Sequence, residues 1–432
     1  MAGDQGKQQW GSRLGFLMAA IGSAVGLGNL WRFPFQAGEN GGGAFVLIYI
    51  ACVFLIGYPV LMAELAIGRH KGLSAVGSTR DLAIDAGRSP KWQIAGWIGL
   101  LVVVMVLPSY SMISGQIMAY SVMGFMGDLS DPNVTPLYGG VVSSLLWFTA
   151  FLALTAGIVL RGLKRGIELA SVFLMPAFFF ILLGLAAFAL LSGAAGDALS
   201  YLFRPRFDQL TADVVLAALG QALFSLGVGA GLMITFGSFL SKEVRIGSNA
   251  RIIASADTLT ALVAGLMIFP IVFAFGMDPA AGMGLIFGAL PSFFMGMPFG
   301  NLIGGLFFFL AFVAALTSSI SLLLISRTIG VEQFGLSERN ATILFTILAW
   351  IGGVGIIFID GFGSLLDWLV GSVALPLGAL TAALIAGWVS PQPVMRAELS
   401  HTSDWSFDLW RGLIRYVVPV AIIVILFAGL TA

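Results

Sequence analysis

GFLMAAIGSAVGLGNLWR, residues Gly15–Arg32, is apolar enough to cross a membrane but poorly suited to remain one helix throughout. Gly22, Gly26 and Gly28 weaken its middle, each by roughly 0.5–1 kcal/mol relative to alanine. Asn29 and Arg32 follow, two polar groups that hydrocarbon does not accept unpaired. Irregular backbone at membrane depth is tolerated only where the freed groups line a cavity or bind something. The stretch therefore predicts a broken helix and a binding site at the break.

Composition supports a membrane protein. Of 432 residues, 59% are hydrophobic and 10% charged, and the mean hydropathy is +1.00. Soluble domains carry about a quarter of their residues as charges. A net charge of zero argues against a nucleic-acid partner. The single cysteine, Cys52, excludes an internal disulfide. His70 and His401 are expected in polar loops, so no histidine–cysteine metal cluster is expected. The first apolar run is too long for a signal h-region and no cleavage site follows it, so it is expected to stay in the membrane.

Eleven stretches are long enough to span about 30 Å of hydrocarbon. They are expected near 14–35, 43–68, 92–126, 141–160, 167–193, 214–240, 248–276, 299–328, 340–359, 364–390 and 410–431. Basic residues concentrate in alternate loops. Arg69, Lys71, Arg80, Arg88 and Lys91 follow span two, Arg161, Lys164 and Arg165 follow span four, and Lys242, Arg245 and Arg251 follow span six. Arg327 and Arg339 bracket the link after span eight, and Arg396 follows span ten, with Arg411 and Arg415 beside that loop. The opposite loops hold only Arg204 and Arg206, with Asp128, Asp131, Asp197, Asp208 and Asp278. By the positive-inside rule the N-terminus is cytoplasmic, and eleven crossings place the C-terminus outside.

Span six repeats the interruption: FSLGVGAG, Phe224–Gly231, carries glycines at 227, 229 and 231. Breaks in spans one and six lie five spans apart, an odd number, so the second unit enters the membrane from the opposite side. That is an inverted repeat with a central site. Glycines also let helices pack closely, and either break alone is equally compatible with that plainer role. Two breaks in register, each with polar neighbours, favour the site. The repeats are expected at 1–193 and 194–390, with a cytoplasmic link and span eleven at 391–432.

WGSRLG (Trp10–Gly15), GSAVGLGNLWRFP (Gly22–Pro34), ENGGGAF (Glu39–Phe45), GYP (Gly57–Pro59), ELAIGR (Glu64–Arg69) and AALTSS (Ala314–Ser319) resemble the neurotransmitter:sodium symporter family, most closely its bacterial amino-acid branch. The similarity extends over nearly the whole chain. It implies an all-α membrane protein of the leucine-transporter fold, with five-plus-five inverted repeats and helices one and six unwound at mid-membrane. It further implies Na+-coupled uptake of an amino acid through a bacterial plasma membrane, no enzymatic activity and no obligatory protein partner. Most animal members have a twelfth span, which this chain is expected to lack.

The resemblance also implies roles residue by residue. The substrate carboxylate is expected at the backbone of Leu27 and Gly28 and the Tyr110 hydroxyl, and the ammonium at carbonyls of Ala24, Phe224 and Ser225. Helix ends offer free N–H groups and carbonyls for such a zwitterion. Tyr110 taken alone is equally compatible with a satisfied buried phenol. The pocket is expected to be completed by Val106, Gly227, Ala230, Ser318 and Leu322. Small residues at 227 and 230 imply a roomy apolar cavity for Trp, Phe, Tyr, Leu or Ile. Ser23 and Ala24 stand where amine transporters carry an aspartate, which argues against monoamines.

Two sodium seats are implied: Ala24, Asn29, Ser225 and Asp257 for the first, and Gly22, Val25, Ala314, Thr317 and Ser318 for the second. Hard cations take oxygen ligands, although hydroxyls in membrane helices often only bond the preceding turn. Asp257 departs from the usual family amide. One turn on, where chloride-dependent relatives carry serine and many bacterial relatives an acid, stands Ala261. An intramembrane carboxylate is costly and marks a functional site by default. Asp257 is expected to supply the negative charge that chloride supplies elsewhere, making transport chloride-independent. A proton-coupled carrier of the same fold is the alternative, because a carboxylate titrates. Arg32 and Asp367 match an outer gate, and Lys7 and Glu332 an inner one, with Trp10 as a plug and Ser238 nearby. Glu64 is expected to brace the break in span six. Gly166 and Pro176 match a helix end that unwinds in relatives, or equally a packing glycine and a kink proline. A channel would need a continuous polar pore, and an intramembrane enzyme a nucleophile with its base; neither pattern occurs in the spans.

Overall fold

The computed structural model describes residues 8–127, 129, 140–191, 194–276, 278, 290–295 and 299–431; among these there is helix and no strand. Lys7, Asp128 and Asp131 lie outside the described residues. Among the described residues nine helices are individually long and apolar enough to span a membrane. They are Gly43–Lys71, Pro90–Met126, Val141–Leu160, Leu163–Leu191, Ile246–Ala274, Gly300–Phe334, Glu338–Phe358, Phe362–Val389 and Asp404–Thr431, and they correspond to spans two to five and seven to eleven.

The remaining two spans are the interrupted ones. Span one consists of Arg13–Ala24 and Gly28–Glu39, bent by 48° at the break. Span six consists of Ala212–Ser225 and Leu232–Ser238, separated by turns. Each half of span six is too short to cross the bilayer alone, at 14 and 7 residues. Both breaks fall where the glycines predict them.

Spans one, two, six, seven and eight make the interior, with spans three and ten about half buried beside them. In span eight 89% of the central window is buried, against 22% in spans four and eleven, which face outward. Span eight packs along span three, while the first half of span one lies between spans five and eight. The second half of span six packs along Tyr58–Lys71 of span two. The broken helices are therefore held on every side by unbroken ones, so their freed backbone groups meet protein rather than lipid.

The span boundaries shift modestly from expectation. Span eight runs seven residues of helix past Arg327, to Phe334, and span five begins with a widened π turn at Leu163–Glu168. Gly166 lies in that π turn, and Pro176 sits inside the following helix. His70 does not lie in a loop: it occupies the last turn of span two. Its helix runs on past the apolar stretch because Arg69, His70 and Lys71 there are favourable at a helix C-terminus.

That end of span two is tied to the link between spans ten and eleven. Arg69 Nε donates to Glu398 Oε2 at 2.9 Å, with the two side chains 2% and 4% exposed, and Arg69 Nη2 also reaches the Glu398 carbonyl. Lys242 Nζ lies 2.6 Å from Glu398 Oε1, and His70 bridges Glu398 and Asp85 at 3.3 and 3.0 Å. Burial by itself raises the Glu398 pKa, but hydrogen bonds from His70, Lys242 and Arg69 outweigh it and hold the carboxyl down at about 2. A carboxyl depressed below its ordinary value of about 4.3 contributes stability that is complete above that value and is lost as pH falls toward 2. The melting-temperature gap between wild type and Glu398→Gln should thus be widest near pH 5, shrink by about pH 3, and shrink again as pH rises through the pKa of His70, which Glu398 raises. A gap that does not change with pH in detergent would contradict this account.

Candidate functional site

The two breaks meet. Span one leaves its helix at Val25, whose φ of −72° and ψ of 106° turn the chain away from helical geometry. The freed amide of Gly26 donates to Asn29 Oδ1 at 3.0 Å. The Leu27 amide points at the Tyr110 hydroxyl, 3.5 Å away. Glycine at 26 is required by proximity: a Cβ would stand 2.9 Å from Ser318 Oγ and 3.0 Å from the Tyr110 hydroxyl.

In span six the chain turns at Phe224, whose carbonyl accepts from the Gly227 amide at 3.0 Å. Gly229 has φ of +94°, and a Cβ there would collide with the Leu375 carbonyl. Glu64, wholly buried in span two, holds this segment: the Gly229 amide donates to Oε1 at 2.6 Å and the Met233 amide to Oε2 at 3.2 Å. The acid thus satisfies backbone donors that the missing helical turn cannot.

Between the breaks lies a cavity of about 90 Å³. Its walls include Ala24, Leu27, Gly28, Val106, Tyr110, Phe224, Ser225, Gly227, Ala230, Ser318 and Leu322, every residue expected to contact the substrate. Ser23, Gly26, Val102, Leu232 and Leu375 complete the lining and were not anticipated. Val102 lies four residues, one helical turn, before Val106 on span three, a periodic signal the sequence carried. Leu375 comes from span ten, and no local pattern marks it. The lining is polar where the interrupted backbones and Tyr110 face it and apolar on the sides of Val102, Val106 and Leu322.

Beside the cavity, Asn29, Ser225 and Asp257 form one buried cluster. Asn29 Nδ2 lies 2.7 Å from Asp257 Oδ1, 3.0 Å from the Asp257 carbonyl and 3.0 Å from Ser225 Oγ. Ser225 donates to Asp257 Oδ2 at 2.8 Å. Tyr49, fully buried on span two, brings its hydroxyl within 3.4 Å of both Asp257 Oδ2 and Ser225 Oγ. Sequence reasoning missed Tyr49; its signal is a phenol inside an otherwise apolar span. Gln221 was missed for the same reason: its amide donates to the Gly28 carbonyl at 3.3 Å. Ala261 is buried one turn beyond Asp257 and adds no charge.

The second oxygen-rich locus lies on the other side of the span-one break. Ser318 Oγ is 3.4 Å from the carbonyls of Gly22 and Ser23. Thr317 bonds its own helix, donating to the Val313 and Ala314 carbonyls at 3.2 and 3.0 Å. A Cβ on Gly22 would lie 3.1 Å from Thr317 Cβ, so spans one and eight are in close contact here. Among the described residues no group of three or more His, Cys, Asp or Glu side chains could hold a metal. Both loci offer carbonyl and hydroxyl oxygens instead, the donor set of a weakly held hard cation.

Arg32 places its guanidinium 4.2 Å from the ring of Phe224, a residue of the cavity wall. Asp367 lies close enough to act on it electrostatically, but the two form no direct ion pair. At the other end, Trp10 donates to the Phe236 carbonyl at 3.2 Å and packs edge-on against Phe16, Phe236 and Phe239. Glu332 accepts from the Ser74 amide at 2.6 Å and hydroxyl at 2.9 Å, and Ser238 bonds Thr235. The start of span one is pinned by Glu168, which takes the Gly11 amide at 2.7 Å and the Ser12 hydroxyl at 2.8 Å. Glu168 was also missed, although a carboxylate beside an expected helix break was a visible signal.

Comparison with known proteins fits this geometry. Residues 7–136 and 139–432 match the model of the sodium:neurotransmitter symporter family. An uncharacterized sodium-dependent transporter of Bacillus subtilis, YhdH, is 36% identical, covering 98% of this chain and 97% of that protein. One from Haemophilus influenzae is 31% identical, with 98% of each chain covered. The crystal structure of MhsT in complex with L-phenylalanine superposes with a TM-score of 0.90 at 36% identity, over 98% of this chain and all of that one. This chain has the leucine-transporter fold, an all-helical bundle with, among its described residues, nine membrane-length apolar helices and one bent helix pair. This chain is therefore a membrane transporter, not an enzyme, and belongs to the sodium:neurotransmitter symporter family.

Proposed function

We propose that the protein carries a hydrophobic or aromatic L-amino acid into the cell together with Na+, by alternating access and without chloride. The observation that carries this reading is the single cavity between the two breaks, lined by every residue expected to contact the substrate. The carboxylate would take the free amides around Leu27 and Gly28 and the Tyr110 hydroxyl, and the ammonium the carbonyls of Ala24, Phe224 and Ser225. Val106, Ala230 and Leu322 would enclose the side chain, in a wall with no acid to hold a substrate lacking a carboxylate. L-phenylalanine bound to the 36%-identical MhsT supports this substrate class.

Two Na+ seats follow from the oxygen donors. The first uses the Ala24 carbonyl, Asn29, Ser225 and Asp257, together with the substrate carboxylate, so substrate and ion bind cooperatively. The second uses the carbonyls of Gly22, Val25 and Ala314 and the hydroxyls of Thr317 and Ser318. Arg32 and Asp367 would gate the outer side. Trp10 and Glu332 would close the inner side, with Lys7 as partner.

The same reading divides the chain into inverted repeats at 1–193 and 194–390, followed by 391–432. It places the N-terminus in the cytoplasm and the C-terminus outside a bacterial plasma membrane. Binding of radiolabelled tryptophan to purified protein should require Na+ and be indifferent to replacing chloride with gluconate. Unlabelled phenylalanine should compete and dopamine should not. Binding that follows pH and ignores Na+ would favour the proton-coupled carrier instead.

A further inference from the structure

A second cavity, of about 470 Å³, opens on the membrane side that carries the basic loops. It lies between Phe54–Met62 of span two, the first turns of span seven and the beginning of span eleven, remote from the amino-acid cavity in its lining. Arg245 and Arg251 project at its rim, both exposed. Arg251 is held at the Tyr58 hydroxyl, which itself donates to the Gly247 carbonyl at 3.3 Å. Neither arginine joins an ion pair among the described residues.

No carboxylate lines this cavity. Of the acids in the link before span eleven and at its start, Glu398 is paired with Arg69 and Lys242, and Asp404 with Arg396. Two exposed guanidinium groups at one cavity rim, neither in an ion pair among the described residues, make a site for an anion. Ser248, Thr402 and Ser403 add hydroxyls to the lining. The first helical turn of span seven adds amides with no side-chain cap.

The opposite wall is apolar and open. Phe54, Leu55 and Leu409 are 36%, 51% and 48% exposed, and Trp405 at the mouth is 74% exposed. A soluble anion gains nothing from such a wall, whereas an acyl chain attached to the anion does. Tryptophan at this depth is typical of the membrane interface. Basic pockets between membrane helices on the cytoplasmic side are suited to acidic lipid headgroups.

We propose that this cavity is a specific site for one anionic glycerophospholipid. Arg245 and Arg251 clamp its phosphate, and an acyl chain lies along Phe54, Leu55 and Leu409. An occupant there bridges span two, span seven and span eleven and stabilises their packing. The site is independent of the amino acid the transporter carries.

The test is native mass spectrometry and thermal melting of the full-length protein in detergent, with phosphatidylglycerol, phosphatidylethanolamine or inorganic phosphate added. Wild type should retain one phosphatidylglycerol and melt at higher temperature with it. Phosphatidylethanolamine and inorganic phosphate should do neither. Arg245→Gln/Arg251→Gln should retain about 30-fold less, two contributions of about 1 kcal/mol each. Arg88→Gln/Lys91→Gln, exposed basic residues elsewhere, should behave as wild type. Should the double variant fail to fold, the single Arg245→Gln at the exposed rim should lose about fivefold. Equal retention by the arginine variants overturns the proposal. So does equal retention of the zwitterionic lipid, or a melting shift produced by inorganic phosphate alone.

Discussion

Glu64→Ala is expected to lower the melting temperature sharply and to abolish Na+-dependent amino-acid binding, the largest single-residue effect the structure predicts. The carboxylate is fully buried and takes the Gly229 and Met233 amides at 2.6 and 3.2 Å. Alanine leaves both amides without an acceptor where water does not reach. Each unsatisfied buried donor costs about 1–3 kcal/mol, so the loss from two is about 2–6 kcal/mol. The strain falls on the segment that forms one wall of the amino-acid cavity, between Phe224 and Leu232. Glu64→Gln keeps one acceptor oxygen but turns an amide donor toward a backbone donor, so its effect should be intermediate. Differential scanning fluorimetry and ligand binding on all three proteins check this order. Wild-type melting and binding in Glu64→Ala would show that the break in span six supports itself.

Asp257→Asn is expected to raise the Na+ concentration that half-saturates amino-acid binding by tenfold or more, and to lower the melting temperature as well. The carboxylate is acceptor-only and meets three donors: Asn29 at 2.7 Å, Ser225 at 2.8 Å and Tyr49 at 3.4 Å. Asparagine has one acceptor oxygen, and its amide group faces donors on the other side. Hydrogen bonds to a charged group contribute about 1.5–3 kcal/mol, or a factor of about 10 to 100. Removing the charge also removes its attraction for a cation in the proposed first seat. Chloride should not restore Na+ affinity in the variant, because the turn beyond position 257 carries Ala261 and offers no anion ligand. A Na+ dependence identical to wild type, or one rescued by chloride, would falsify the role assigned to Asp257.

The elements legible in the sequence were those written in local chemistry. Apolar length marks the nine unbroken membrane-length helices found among the described residues, because a helix must cover about 30 Å of hydrocarbon whatever its neighbours are. Gly22, Gly26 and Gly28, with Gly227, Gly229 and Gly231, mark both breaks because helix cost is a property of the residue and its immediate backbone. Asp257 and Glu64 stand out because a carboxylate in hydrocarbon demands a partner. Boundaries were less legible. Span two carries on through His70 because charged residues at its C-terminus pair with Asp85 in the next helix and with Glu398, far along the chain.

Other residues became visible only in three dimensions. Leu375 lines the amino-acid cavity although it is a leucine in an apolar span, indistinguishable in sequence from its lipid-facing neighbours. Tyr49 reaches Asp257 across 208 positions, a contact that no spacing rule encodes. Arg32 rests on the Phe224 ring rather than in an ion pair with Asp367. The cavity bounded by Arg245, Arg251 and Trp405 requires three separate spans to converge.

The sequence by itself determined that this protein is a bundle of membrane helices interrupted at two glycine-rich points, and the motifs around those points resembled one transporter family. Transfer free energy and backbone propensity act residue by residue, so the chain alone carries them. Tertiary structure alone decided which freed amides, carbonyls and hydroxyls face one another across the breaks. Those partners lie tens to hundreds of residues apart, and only the packing of unbroken helices around broken ones brings them within hydrogen-bond distance.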